Sequence, residues 1–310
     1  MSKIVIALGG NALGNTAADQ LQKSQIAAKA IVDLIEAGNQ VIISHGNGPQ
    51  VGYIRLAFEQ GHKNGTTPFM PFPECTAMSQ GYIGYHLQQS IDEELVVRGY
   101  DDVPVVAMLT QVVVDDKDPA FQNPSKPVGG YFDESTANEL MQTTGEKYVD
   151  DSGRGWRKVV PSPKPIDIYE KITLKTLIDA GQIVIACGGG GIPVVYRGKR
   201  YEGVDAVIDK DFAASKMADL VDADIFLILT AVDKICINFN KPDQQDLNII
   251  SVSEAKKYAS EGHFAPGSML PKVQAACMFA EGRKGRKSII GSLERASFAL
   301  SGQSGTTIML

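Results

Sequence analysis

Residues Ile4 to Leu8 read Ile-Val-Ile-Ala-Leu and run straight into Gly9, Gly10 and Asn11. An apolar run of that length is a buried strand of a mostly parallel sheet, and glycines at its carboxyl end mark a turn out of the sheet. The pattern recurs twice. Val41 to Ile43 leads to Gly46, Asn47 and Gly48, and Ile183 to Ala186 leads to Gly188, Gly189, Gly190 and Gly191. Open α/β sheets bind ligands outside the carboxyl ends of their strands, so the three turns predict one site. Glycine lets backbone N–H groups approach a ligand closely and converge on it, which suits phosphate or carboxylate oxygens and points to an anionic ligand. Glycines that only end strands and cap helices are the plainer alternative. The density of these turns, two of them with Asn beside Gly, weighs against it. Two familiar phosphate motifs are absent: no G-x-x-x-x-G-K-S/T occurs, and GNGPQVG from Gly46 to Gly52 has one residue too many before its last glycine for a dinucleotide fingerprint.

Outward from these turns, strands and helices alternate. An amphipathic helix from about Ala18 to Ala37 is stopped by Gly38, and a strand begins at Gln40. Asn47 is placed to cap a helix with Pro49 in its first turn. A helix from about Glu74 to Arg98 precedes a strand from Val103 to Leu109; after the Gly188 turn come a hairpin-like stretch through Arg197 to Arg200, a helix from about Asp211 to Val221, and a strand from Ile225 to Thr230. The segment from Asp116 to Pro165 breaks the pattern. Its periodicity fades, prolines and glycines accumulate, and it is too long for a connector, so we read a small inserted subdomain. It holds the only tryptophan, Trp156, among Arg154, Arg157 and Lys158. Those cations would serve a lid over an anionic site, or only solvate the insert.

With 310 residues, 44% of them hydrophobic, the chain can bury a large core as one α/β domain or two lobes. A net charge of -6 argues against nucleic acid as a partner. Cys75, Cys187, Cys236 and Cys277 form no C-x-x-C pair, which suggests neither a zinc site nor a disulfide framework and fits a reducing cytoplasm. No apolar run approaches a membrane span or a signal-peptide core, so we expect a soluble cytoplasmic protein.

The chemistry is carried by Asp209, Lys210 and Asp211 at the start of one helix, and by Gly267 to Lys272 at the start of another. Each start puts a lysine in a first turn, where free N–H groups and the helix dipole already attract anions. Phosphoryl transfer needs in-line positioning and positive charge more than covalent chemistry. Asp209 reads first as an N-cap, and Asp211 as a holder of lysine ammonium groups.

These residues fall in strings that resemble the carbamate kinases of the amino-acid kinase superfamily almost end to end: ALGGNAL from Ala7, SHGNGPQVG from Ser44, TQVVVD from Thr110, NPSKPVG from Asn123, GRGWRKVVPSPKPIDI from Gly153, CGGGGIPVV from Cys187, VDAVIDKDFAA from Val204 and HFAPGSMLPKV from His263. The resemblance implies a three-layer α/β/α sandwich around a mainly parallel sheet. Residues 1–203 would form a carbamate-binding lobe with the lid 116–165 inserted, and 204–310 a nucleotide-binding lobe. It further implies a homodimer, Mg2+ brought with ATP or ADP, and reversible conversion of carbamate and ATP into carbamoyl phosphate and ADP, which fermenting bacteria use in reverse to make ATP in arginine-type metabolism. By the family's pattern Lys210 and Lys272 would bind the phosphates and the transferred group, Lys126 would reach in from the lid, and Asp211 would organise the lysines. Gly9, Gly10, Asn11, Gly46, Asn47, Gly48, Gly188, Gly189 and Gly190 would cradle carbamate and the migrating phosphoryl group, while Thr230, Ala231, Val232, Gly267 and Met269 would border the nucleotide. Many relatives in the superfamily carry lysine where this chain has Ala7, and Lys126 is the candidate replacement. Ser152 stands where the family pattern has alanine.

A carbamate oxygen is already anionic, so its attack needs no general base. His45 beside the second turn is therefore assigned to packing or a backbone hydrogen bond. His62, His86 and His263 stand beside no acid or nucleophile pattern. Mg2+ prefers nucleotide oxygens and water, so no carboxylate cage is expected, with Asp211 assisting through a water. A regulator that kept the fold without turnover, and a kinase of a related carbamate or small carboxylate, are the competing readings.

Overall fold

The structure is a computed structural model that describes residues 1–9, 14, 16–47, 49–151 and 153–310. Its centre is an eight-stranded sheet in the order Ile249–Ser251, Thr306–Met309, Lys287–Ser292, Ile225–Thr230, Lys3–Leu8, Gln40–His45, Ile183–Ile185, Val105–Ala107. Neighbours run parallel except Lys287–Ser292 against Thr306–Met309. Lys3–Leu8 is the switch point. The chain first builds outward on one side of it, through Gln40–His45, and later returns to pair Ile225–Thr230 on the other. A crevice at the carboxyl ends is the geometric result.

Both faces of the central strands are buried, with a period of two. Ile4, Ile6, Leu8, Ile43, Leu227 and Leu229 point to one face, where Ala27 and Ile31 of the helix Ala17–Glu36 and Ile83, Leu87 and Ile91 of the helix Phe72–Val97 cover them. Val5, Ala7, Ile42, Val184, Phe226 and Ile228 point to the other, under Leu174 and Ile178 of Lys171–Asp179, Ala213 and Met217 of Lys210–Leu220, and Val273 and Phe279 of Met269–Gly282. This is the expected three-layer sandwich.

The local signals act as expected at most ends. The Thr16 side chain caps Ala17–Glu36 by accepting from the Asp19 amide, and Gly38 takes φ +81° just beyond its last turn. Arg197 and Arg200 pair across a hairpin, in a four-stranded sheet that also holds Gln111–Val114 and Pro165–Ile168. Two expectations are corrected. The strand read as Val103 to Leu109 is only Val105–Ala107: at one end the Val103 amide turns back to the Tyr100 carbonyl and Pro104 has no N–H to give, and just past the other the Thr110 amide goes to the Gln80 side chain. Asn47 does not cap the helix Gln50–Lys63, which follows Pro49 with no side-chain cap. Its carbonyl accepts from the Gln50 amide while its side-chain nitrogen turns to Ser79 Oγ at 3.4 Å.

Within the irregular insert, Lys126–Phe132, Trp156–Val160 and Tyr148–Asp150 form a separate antiparallel sheet in that order, with the helix Glu134–Thr144 capped by Asp133. It rests on the helix Gln50–Lys63 where Gly52 meets Gly129. A Cβ on Gly52 would lie 3.0 Å from the Gly129 Cα, so the two backbones touch directly.

Candidate active site

A cleft of about 390 Å³ opens where the strand ends, the lid and two helix starts converge. Gly46, Asn47 and Gly189 line it from the sheet, Lys126 and Arg157 from the lid, and Asp209, Lys210, Asp211, Gly267 and Lys272 from the two helices. Residues more than 200 positions apart in the chain are thus brought together.

Asp211 is the centre of its electrostatics. It sits in the first turn of Lys210–Leu220, 2% exposed, and accepts from Lys210 Nζ at 2.5 Å on one oxygen and from Lys272 Nζ at 2.9 Å on the other. Burial pushes its carboxyl up, but the two ammonium groups outweigh that and hold it down at about 2. Lys210 is shifted down from its ordinary value, by burial first, with Asp211 opposing and Lys272 adding to the effect. The two lysine-bearing helices are locked together by Ser215 Oγ, which donates to the Ala275 carbonyl at 3.0 Å. Two cations held around one carboxylate leave one excess positive charge at the base of the cleft.

Asp209 does two jobs. One oxygen accepts from the Asp211 amide at 2.9 Å, the N-cap expected of it, and the other accepts from Lys126 Nζ at 2.6 Å. The lid lysine therefore reaches the helix start across 83 positions of sequence, and its side chain stays 34% exposed. Arg157 is the cation of the Arg154, Arg157 and Lys158 group that lines this cleft. Its guanidinium donates to the Gly129 carbonyl and pairs with Asp151 at 3.1 Å. Arg154 pairs with Asp151 at the surface, and Lys158 pairs with Glu146 beside a different cavity.

The glycine turns are built for close approach. Gly189 takes φ +67°, and a Cβ there would lie 2.4 Å from the Asn47 side chain; a Cβ on Gly188 would lie 2.2 Å from His45 Nε2, and one on Gly190 2.1 Å from the Ile208 carbonyl. Gly9 meets the Leu229 carbonyl in the same way at 2.9 Å. The expectation that these turns offer converging donors is corrected at three positions. The amides of Gly9 and Gly46 donate to the Leu229 and Leu8 carbonyls and knit strand ends together, while that of Gly190 closes its own turn on the Cys187 carbonyl. Gly10, Asn11 and Gly48 lie outside the described residues. Thr230 ends its strand next to Gly9, Ala231 and Val232 follow it at the surface, and Met269 packs on the core as the first residue of its helix. None of these four is among the residues lining the cleft.

His45 is buried against Gly188, and its Nδ1 donates to the Gly46 carbonyl at 2.6 Å. Burial lowers its pKa to about 4, against the bond to Gly46, and the nearby Lys210 charge lowers it further. That is the packing and backbone role expected of it. A latch that the sequence did not disclose sits beside it. Gln80 accepts from the Thr110 amide at 2.9 Å and donates to the Gly188 carbonyl at 3.1 Å, while Thr110 Oγ1 accepts from the Cys187 amide at 2.6 Å. Cys187 is thereby held at φ 54°, a conformation rare outside glycine.

The model of the amino acid kinase family matches residues 2–292. A carbamate kinase of Clostridium perfringens is 53% identical over 314 residues, covering 99% of both chains. The chain belongs to the amino acid kinase family, among its carbamate kinases. The carbamate kinase-like protein YqeA of Escherichia coli is 52% identical, over 99% of this chain and 98% of its own. Among solved structures, a carbamate kinase of Giardia lamblia bound to AMP-PNP superimposes with a TM-score of 0.92 at 44% identity, over 99% of this chain and 98% of that one. Among the described residues, no helix is long and apolar enough to cross a membrane.

Proposed function

We propose that this carbamate kinase transfers a phosphoryl group reversibly between ATP and carbamate, and that its working direction is ATP synthesis from carbamoyl phosphate and ADP in arginine-type fermentation. The observation that carries the reading is the Asp211 carboxylate shared by Lys210 and Lys272 at the base of a cleft that Lys126 enters from the lid. In this account the residues after 203 hold the nucleotide, those before it hold carbamate, and the 116–165 insert closes over both.

Both partners in the reaction are anions, so the residues act on charge. Lys210 and Lys272, fixed by Asp211, lie along the phosphate chain and offset the negative charge that spreads over the transferred group. Lys126 exchanges its bond to Asp209 for an oxygen of that group. Carbamate needs no deprotonation, and the buried His45 is left out of the chemistry. Carbamate would sit beside the transferred group against Asn47 and Gly189, both of which line the cleft.

Both carboxylates lining the cleft are engaged by ammonium groups, Asp209 by Lys126 and Asp211 by Lys210 and Lys272. That donor set fits a Mg2+ carried on nucleotide oxygens and water, with Asp211 reaching it through a water, and does not fit a protein cage. The ion would supply charge neutralisation on the phosphates. We further expect a homodimer in the cytoplasm, and the exposed Met78, Tyr85 and Leu109 offer apolar surface for a second copy.

The test is ATP formation from ADP, Mg2+ and carbamoyl phosphate, with acetyl phosphate as the competing donor and Lys210→Ala as the blank. Rapid synthesis that prefers carbamoyl phosphate and depends on Lys210 is expected. No turnover in folded, ADP-binding protein would make the chain a regulator, and a preference for acetyl phosphate would change the substrate.

A further inference from the structure

A second cavity, about 700 Å³, lies farther along the seam between the lid and the core and has no lining residue in common with the lysine cleft, although a smaller pocket at Gly52, Arg55, Val128 and Gly129 adjoins both. Its walls are the helix Gln50–Lys63 on the core side and the lid's small sheet and helix on the other. That volume is the size of a small-molecule site, and Phe69, Phe72 and Tyr148 give it an aromatic lining.

The charges in it do not balance. Arg55 is 7% exposed, with its guanidinium carbon 4.6 Å and 4.9 Å from the ring centres of Phe69 and Phe72. Its Nε donates to Glu59 at 2.6 Å, and its Nη1 has no partner among the described residues. That nitrogen is closed to the cavity as the side chain stands; leaving it unpaired is costly, and a turn of the side chain towards the cavity would let an acceptor complete it. Every carboxylate of the cavity is already engaged: Glu59 by Arg55, Glu146 by Lys158, and Asp205 by the Phe72 amide at 3.2 Å. Lys63 and Lys147 line the same space with no carboxylate partner among the described residues. Positive charge is thus in excess here, in a chain whose net charge is -6.

We propose that this cavity is a binding site for an organic anion, with a carboxylate or phosphate-ester head taken by Arg55 and Lys147 and an apolar body against Phe69, Phe72 and Tyr148. Arginine's planar fork suits either head. Occupancy ties the lid to the helix after the second glycine turn. The lid strand bearing Lys158 is also paired with the one that starts at Lys126, so the ligand acts on the lid's position over the lysine cleft.

Trp156, the only tryptophan, stands two positions before Lys158 on that strand and reports on it. The full chain is titrated with phenyl phosphate and, separately, with benzoate while Trp156 fluorescence is monitored. A saturable change with one of the two is expected, and which one names the head group. It should persist in Lys210→Ala and weaken about tenfold or more in Arg55→Gln and in Lys147→Glu. Lys147 is exposed, so its replacement keeps the test valid even where Arg55→Gln fails to fold. No response to either probe, a response lost in Lys210→Ala, or an unchanged affinity in Lys147→Glu would each overturn the proposal.

Discussion

The lysines of the cleft are held in two different ways. Lys210 and Lys272 stand on helices that belong to the packed core, share one buried carboxylate, and are 13% and 15% exposed. Lys126 stands on a small sheet that touches the core through Gly52 and Gly129, and its one carboxylate partner lies on the opposite side of the cleft. A buried pair around a buried acid is costly to disturb, whereas a partly exposed pair across a seam exchanges partners at lower cost. The contrast teaches a division of labour. The core lysines hold the phosphates in place, and the lid lysine joins only when the transferred group is present.

The largest effect should come from breaking the fixed side. Asp211→Asn leaves two ammonium groups in the core without their counter-charge, and we expect turnover to fall by about 10³ and unfolding free energy by about 3 kcal/mol, read by ATP formation and by urea melts. Asp209→Asn, on the movable side, should cost no more than about 1 kcal/mol by the same melts. Equal losses in the two variants would erase the distinction.

A smaller effect sharpens it. His45 lies in the fixed region with its pKa lowered from 6.5 to about 4, first by burial. The folded state therefore binds its proton less readily than the unfolded chain. Its neutral form contributes stability that is complete above pH 6.5 and is lost as pH falls towards 4. Global stability should decline over that window by about 3 kcal/mol from this residue alone. His45→Gln should flatten the decline in pH-dependent melts; an unchanged slope would mean that burial there is relieved on protonation.

The sheet and its crevice were legible in the sequence because buried parallel strands and Gly-dense turns are local patterns, and Ile4 to Gly9 carries both. The core lysines were legible for the same reason, since each stands near the start of a helix, Lys210 directly after the Asp209 cap. Contacts between distant segments were not. Nothing local to Asp209 says that its second oxygen waits for Lys126, and nothing local to Gln80 says that it will brace Thr110 and Gly188. The amides of Gly9 and Gly46 misled for a related reason. A glycine needed for close backbone approach reads identically in sequence whether its N–H meets a ligand or the neighbouring strand.

The most direct test of the division of labour is to measure, in Lys126→Ala and Lys272→Ala side by side, the turnover of carbamoyl phosphate and the dissociation constant for Mg-ADP. The account predicts that Lys126→Ala loses about a hundredfold or more in turnover with ADP affinity within about threefold of the original, while Lys272→Ala loses both. Parallel losses of turnover and ADP affinity in Lys126→Ala would contradict it, because the lid lysine would then be one more phosphate-binding group.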